Sequence, residues 1–168
     1  MQWKTLLVPH DFSAAAARAF GLATDLAALT GGRVALLHVS PIPHGLRPDS
    51  KILPDDAEAP VRIDEHMTAA ARGKLEALLA ARGAEASVIA VASELDPAEV
   101  ILAKAGELRA DVIVMGTHGR TGVRRLLVGS VAERVLRHAS MPVVVVRDPD
   151  LADEHLREED AVRDEEEG

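Results

Sequence analysis

The chain has 168 residues, with 27 acidic and 19 basic side chains, no cysteine and a formal charge of −8. That length gives one domain with a full core, and hydrophobic residues at 48% fill it. Without cysteine there is no disulfide framework, no thiolate metal site and no cysteine nucleophile.

Helix-like and strand-like patterns alternate along the chain. Thr5 to Val8 is an apolar run closed by Pro9 and reads as a first, buried strand. Asp11-Phe12-Ser13 offers capping oxygens to an alanine-rich helix over Ala14–Leu29, with Phe20, Leu22, Ala23, Leu26 and Ala27 as its apolar face. Gly31-Gly32 stop that helix, and Arg33–Val39 reads as the second strand. Residues Ser40–Pro60 hold Pro41, Pro43, Pro48, Pro54 and Pro60 without a steady period, which predicts a long irregular loop. A second helix is expected from about Val61 to Ala81, with Met67, Ala71, Leu75, Leu78 and Leu79 on its apolar side and Gly83 after it. Ala86–Ala92 gives the third strand. Asp96-Pro97 is an N-cap followed by proline at the first helical position, which starts a third helix carrying Val100, Ile101, Ala103 and Leu108. Asp111–Met115 is the fourth strand, and a glycine-punctuated stretch runs from Gly116 to Gly129. Ser130 is expected to cap a last helix reaching about His138, before a fifth strand over Pro142–Val146.

The charge collects at the end of the chain. From Asp148 to Gly168 eleven acidic residues face only Arg157 and Arg163, which leaves 17 basic and 16 acidic residues over 1–147. The body is therefore near neutral. Residues 148–168 read as an acidic, disordered C-terminal tail, a solvating appendage in the first instance and otherwise a surface for a basic protein partner.

Five strands alternating with four helices predict a doubly wound α/β domain: a five-stranded parallel sheet with helices on both faces. Strand orders 3-2-1-4-5 and 2-1-3-4-5 both fit the pattern. Ligands in such sheets sit beyond the carboxyl ends of the strands, where the order reverses. In the order 3-2-1-4-5 that crevice is flanked by Pro9–Ser13 and Gly116–Gly129, the two stretches richest in unusual residues, so this order is the expected one.

Other function classes fit poorly. The N-terminal apolar run Leu6-Leu7-Val8 is too short for a signal peptide, and no stretch approaches the roughly 18–20 apolar residues of a membrane span. With Trp3, Phe12 and Phe20 as the only aromatic residues and a neutral body, a nucleic-acid surface is not expected. The reading is a cytoplasmic domain with no nucleic-acid or membrane partner. His10, His38 and His118 fall near the carboxyl ends of strands, but no pair has metal-ligand spacing, and alternation points His38 away from the crevice. No metal site is read, and His44, His66, His138 and His155 are taken for surface residues.

The glycine stretch carries the chemistry. Gly116, Gly119 and Gly122 permit positive φ or close backbone approach, and successive N–H groups in such a turn form an anion site. Gly129-Ser130 opens a helix whose first N–H groups favour phosphate. Arg120 is the expected charged neighbour of a ligand, whereas Arg124 and Arg125 read as solvated. No Gly-Lys-Ser or Gly-Lys-Thr occurs, and no G-x-G-x-x-G opens the first helix, so neither the P-loop nor the dinucleotide fingerprint is present.

The spacing Gly116, two residues, Gly119, nine residues, Gly129-Ser130 resembles the nucleotide-binding signature of the universal stress protein family. The likeness extends to Pro9-x-Asp11-x-Ser13, Leu36-Leu37-His38-Val39, Asp96-Pro97-Ala98-Glu99, Ala110 to Met115 and Met141 to Val146, so it covers about residues 2–147 in matching order. Leu95 stands where the family often has glycine, and the acidic tail lies outside the family's core. The resemblance implies the ATP-binding subclass, with Mg²⁺ bridging the phosphates as a further expectation. By position, it implies Asp11 at the ribose or base with Pro9 beside it, and Val39 offering backbone groups to the adenine edge. Met115 and Gly116 would pack under the nucleoside, and Thr117, His118, Gly119, Arg120 and Gly122 would wrap the phosphates. Gly129, Ser130 and Val131 would hold those phosphates through N–H groups and a hydroxyl. It also implies a homodimer joined along Val143–Val146, an edge strand that can pair with another chain.

Three functions fit these residues. The first is an ATP-binding regulatory or sensor protein of the stress response. The second is a slow ATPase or phosphotransferase, for which Asp11 and His118 are the nearby bases. The third is an interaction module with a vestigial site, in which the tail or the Ser40–Pro60 loop recognises the partner. Binding ranks above catalysis because neither base has an identifiable partner, so no catalytic residue is assigned.

Overall fold

A computed structural model describes residues 3–55, 57–117 and 129–147. The first half runs β1 (Thr5–Pro9), α1 (Ala14–Thr30), β2 (Arg33–Pro41), β3 (Lys51–Ile52), β4 (Val61–Arg62) and α2 (Ile63–Arg82). The second half adds β5 (Ser87–Ser93), α3 (Pro97–Glu107), β6 (Val112–Gly116), α4 (Ser130–His138) and β7 (Val143–Val146).

The main sheet has five strands in the order β5-β2-β1-β6-β7, every neighbouring pair parallel. Counted along these five strands that is 3-2-1-4-5, the order expected from the crevice argument. The reversal lies between β1 and β6, where Leu6 pairs with Val112 and Leu7 with Ile113. β1 is buried along its whole length, which is why its sequence shows no polar alternation.

Two apolar cores hold the layers together. Leu6, Val8, Leu36 and Val114 pack with Phe20 and Ala23 of α1 and Leu75 of α2 on one face. Leu7, Ala35, Leu37 and Ile113 pack with Ile101 and Ala105 of α3 and Val135 of α4 on the other. Burying a side chain such as Phe20 stabilises the fold by about 1.5–3 kcal/mol. The small residues of α1 (Ala16, Ala19, Ala23 and Ala27) let it lie close to the sheet; Leu22, expected inside, is 37% exposed. In α3 it is Ala105 rather than Ala103 that enters the core.

Local chemistry fixes the boundaries. Ser13 caps α1 by accepting the Ala16 N–H at 3.2 Å, and Gly31 ends it in the left-handed region at φ 65°. Asp96 caps α3 through the Ala98 N–H at 2.8 Å, with Pro97 at the first helical position as expected. Asp111 ties the start of β6 to the start of β1: its Oδ2 accepts the N–H of Lys4 at 2.7 Å and of Thr5 at 2.9 Å.

Two further details differ from the sequence reading. The Ser40–Pro60 region is not wholly irregular, because Lys51-Ile52 pairs antiparallel with Val61-Arg62, and α2 starts at Ile63. A two-residue bridge has no hydrophobic period to betray it. The cap of α4 is Gly129 rather than Ser130, which is already the first helical residue.

Candidate functional site

The loops at the carboxyl edge of the sheet enclose a cavity of about 670 Å³, in the range of small-molecule sites. It sits where the strand order reverses, as the doubly wound topology requires. Nine sequence-predicted residues border it. Pro9, Asp11 and Val39 come from the ends of β1 and β2, Met115, Gly116 and Thr117 from the end of β6, and Gly129, Ser130 and Val131 from the start of α4. The predicted His118, Gly119, Arg120 and Gly122 lie outside the described residues, as do Arg124, Arg125, His155 and the acidic tail.

Gly116 does not take a positive φ, contrary to one of the two uses expected for it. It meets a packing need instead. A Cβ there would stand 2.8 Å from Ala15 Cβ and 3.0 Å from Ala16 N, so the missing side chain lets β6 end against the first turn of α1. Thr117 continues the edge: it is 3% exposed, its N–H donates to Val146 at 2.9 Å, and its carbonyl accepts the Gly129 N–H at 2.6 Å. The two ends of the glycine stretch are therefore pinned to each other and to β7.

The helices that begin at this edge are finished differently, and α2, like α4, starts without a side-chain cap. The first turns of α1 and α3 are capped by Ser13 and Asp96. Gly129, which precedes α4, has no side chain with which to accept the orphan N–H groups of that helix. Ser130, Val131 and Ala132 border the cavity, so the positive end of the α4 dipole faces it. Arg134 holds α4 beside α3 through a 2.8 Å contact with Asp96; both groups are substantially exposed, so this pair orients more than it stabilises.

Asp11 lies opposite. Its Oδ1 accepts the Ser13 N–H at 3.1 Å, leaving Oδ2 without a partner among the described residues. It supports the entry into α1 without being the cap itself, which is Ser13.

The histidines correct the sequence reading. His38 borders the cavity, and its Nδ1 lies 2.7 Å from the His10 carbonyl oxygen. His66 also borders it and is not a plain surface residue; His44 and His138 are exposed. His10 is 4% exposed, and burial lowers its pKa to about 4, with Asp11 opposing the shift and Arg82 and His38 adding to it. Its Nδ1 accepts the Phe12 N–H at 3.1 Å, which places the proton of the neutral ring on Nε2. That Nε2 is buried with no hydrogen-bond partner among the described residues, a condition costing about 1–3 kcal/mol. Among the described residues no group of three His, Asp or Glu side chains is placed to hold a metal ion.

Nothing in the sequence pattern announces the α2 wall. His66, Met67, Ala70, Ala71 and Lys74 fall at helical spacing on the cavity side of α2. Phe12 reads in the sequence only as part of a capping run and as one of the few aromatic residues, yet it takes φ 67° and sets its ring 4.7 Å from His38 and 5.9 Å from Lys74 Nζ.

The model of the family described as "Universal stress protein family" matches residues 2–147. The chain belongs to this family. A universal stress protein of Methanocaldococcus jannaschii is 55% identical over 53 residues, 32% of this chain and 31% of the relative. A second protein of that organism is 41% identical over 51 residues, so these matches span about a third of the relatives' length. Solved structures of the family cover more. A universal stress protein from Lactobacillus plantarum has a TM-score of 0.62 at 25% identity, over 88% of this chain and 99% of that one. A family member from Archaeoglobus fulgidus, solved in complex with dAMP, has a TM-score of 0.57 at 24% identity, over 87% and 99%. Another, solved in complex with cAMP, has a TM-score of 0.59 at 21% identity, over 88% and 98%. Among the described residues of this family member no helix is long and apolar enough to cross a membrane.

Proposed function

We propose that the chain binds an adenine nucleotide, ATP foremost, in the cavity at the β1–β6 reversal and acts as a regulatory or sensor protein. The observation that carries this reading is the start of α4: consecutive N–H groups at the positive end of a helix, preceded by glycine and bordering the cavity. Phosphate oxygens fit there. Asp11, with an oxygen to spare, fits ribose hydroxyls, and Met115 and Val39 provide apolar surface for the nucleoside. Two proteins of the same fold have been solved with dAMP and with cAMP, ligands of the same chemical class.

In this reading the glycine stretch closes over the phosphates, with His118, Gly119, Arg120 and Gly122 near them and Mg²⁺ carried by the phosphates. β7 is an edge strand of the main sheet, with Val143–Val146 half-buried in the single chain. Pairing of that edge with a second copy would give the homodimer. A cytoplasmic location and an unpacked acidic tail complete the proposal.

Calorimetric titration of the full chain with ATP, ADP and AMP, followed by a phosphate-release assay, tests the reading. Saturable binding of at least one nucleotide without turnover is the expected result. Absence of binding for all three would overturn it, and turnover would move the protein to the enzymatic alternative.

A further inference from the structure

The cavity has two sides of different make. Side chains alternate along a strand, so Leu6, Val8 and Leu36 face α1 and α2, whereas Leu7, Ala35 and Leu37 face α3 and α4. Continuing the alternation places His10 and His38 on the α1–α2 side and Pro9 and Val39 on the α3–α4 side. The nucleotide reading uses the second side. The first is left over, and it is not plain apolar surface.

Its lining has three parts. His10 supplies a buried Nε2–H with no acceptor among the described residues, fixed in that tautomer by the bond from the Phe12 N–H to Nδ1. Phe12, Met67 and Ala70 supply an aromatic ring and an aliphatic wall. Phe12 is held in a backbone conformation that non-glycine residues seldom adopt, with its ring 5.3 Å from that of His10. Lys74, on the same face of α2 and exposed, sets a positive charge 5.9 Å from the centre of the Phe12 ring. From the buried end outward the order is donor, ring surface, cation.

We propose that the α1–α2 side of the cavity is a second subsite, separate from the nucleotide, for a small planar ring that has a hydrogen-bond acceptor on its edge and carries a negative charge. The acceptor takes the His10 Nε2–H, the ring lies against Phe12 and the α2 wall, and the charge turns toward Lys74. Burial keeps His10 neutral at pH 7, so it recognises an acceptor rather than a second anion. The inference rests on the nucleotide reading only for the claim that the two ligands are separate.

Nicotinate and benzoate are a matched pair of probes, alike in ring and carboxylate, of which only nicotinate has an acceptor nitrogen in the ring. Each is titrated into the full chain by NMR, with and without saturating ATP. Nicotinate is expected to bind about tenfold tighter than benzoate, because benzoate leaves the His10 donor unmet. The preference vanishes in His10→Phe, which keeps a ring at that position. Lys74→Met, on an exposed residue, weakens both probes about two- to fivefold with the fold intact. ATP leaves both affinities unchanged. Equal affinity of the two probes, no binding of either, a preference that survives His10→Phe, or displacement of nicotinate by ATP would overturn the proposal. Failure of ATP to bind would remove the nucleotide reading while the probe comparison still decides the subsite.

Discussion

Burying a neutral histidine ties stability to pH with a definite sign. His10 titrates near 6.5 in the unfolded chain and near 4 in the folded one, chiefly because burial penalises the imidazolium. Between those values the unfolded state holds a proton that the folded state refuses, so stability rises with pH across that window. The contribution is fully present above pH 6.5 and is lost as the pH falls through the window toward 4. At about 1.4 kcal/mol per unit, a separation of roughly 2.5 units amounts to about 3.5 kcal/mol in full, a large share of the roughly 5–15 kcal/mol typical of a domain. Urea denaturation of the wild type and of His10→Phe at pH 7.5, 6.5, 5.5 and 4.5 isolates the effect, since carboxylates elsewhere titrate alike in both proteins. His10→Phe also removes the acceptor of the Phe12 N–H, which shifts its stability by about 1 kcal/mol independently of pH. The expected result is a stability difference that moves in favour of the variant by about 2.5 kcal/mol between pH 7.5 and 4.5. A difference constant from pH 7.5 to 4.5 would refute the buried, neutral state of His10.

Other substitutions probe the edge of the sheet. Gly116→Ala forces a methyl group against Ala15 and is expected to cost about 1–3 kcal/mol in urea denaturation, with nucleotide affinity reduced as β6 moves away from α1. Gly129→Glu puts a carboxylate at the start of α4 and should abolish ATP binding in calorimetry while the circular dichroism spectrum is unchanged. Asp111→Ala leaves the N–H groups of Lys4 and Thr5 without their acceptor and should lower stability by about 1–2 kcal/mol at pH 7, with ATP affinity unaffected because it acts at the far end of β1.

Much of the fold was legible because its signals are local. Pro97 behind Asp96, Gly31 after the alanine-rich run and the uninterrupted Leu6-Leu7-Val8 each specify their own element within a few residues. Even the strand order followed, since only one arrangement brings Pro9–Ser13 beside the glycine stretch. What stayed hidden depends on contacts between distant residues. Gly116 is needed because Ala15, a hundred residues earlier in the chain, lies within 3 Å of where its Cβ would be. The His66–Lys74 face of α2 borders the cavity only because the helix overhangs the ends of β1 and β2, and no period within α2 records that. Alternation along β2 puts His38 on the α1–α2 side of the sheet, but it does not reveal that the cavity reaches that side as well.

Amide hydrogen exchange in the presence of ATP reads the N–H groups at the start of α4 themselves. Exchange at Ser130, Val131 and Ala132 is expected to slow on addition of ATP. Nucleotide binding that leaves those three amides unchanged would contradict the proposed phosphate site at that helix start.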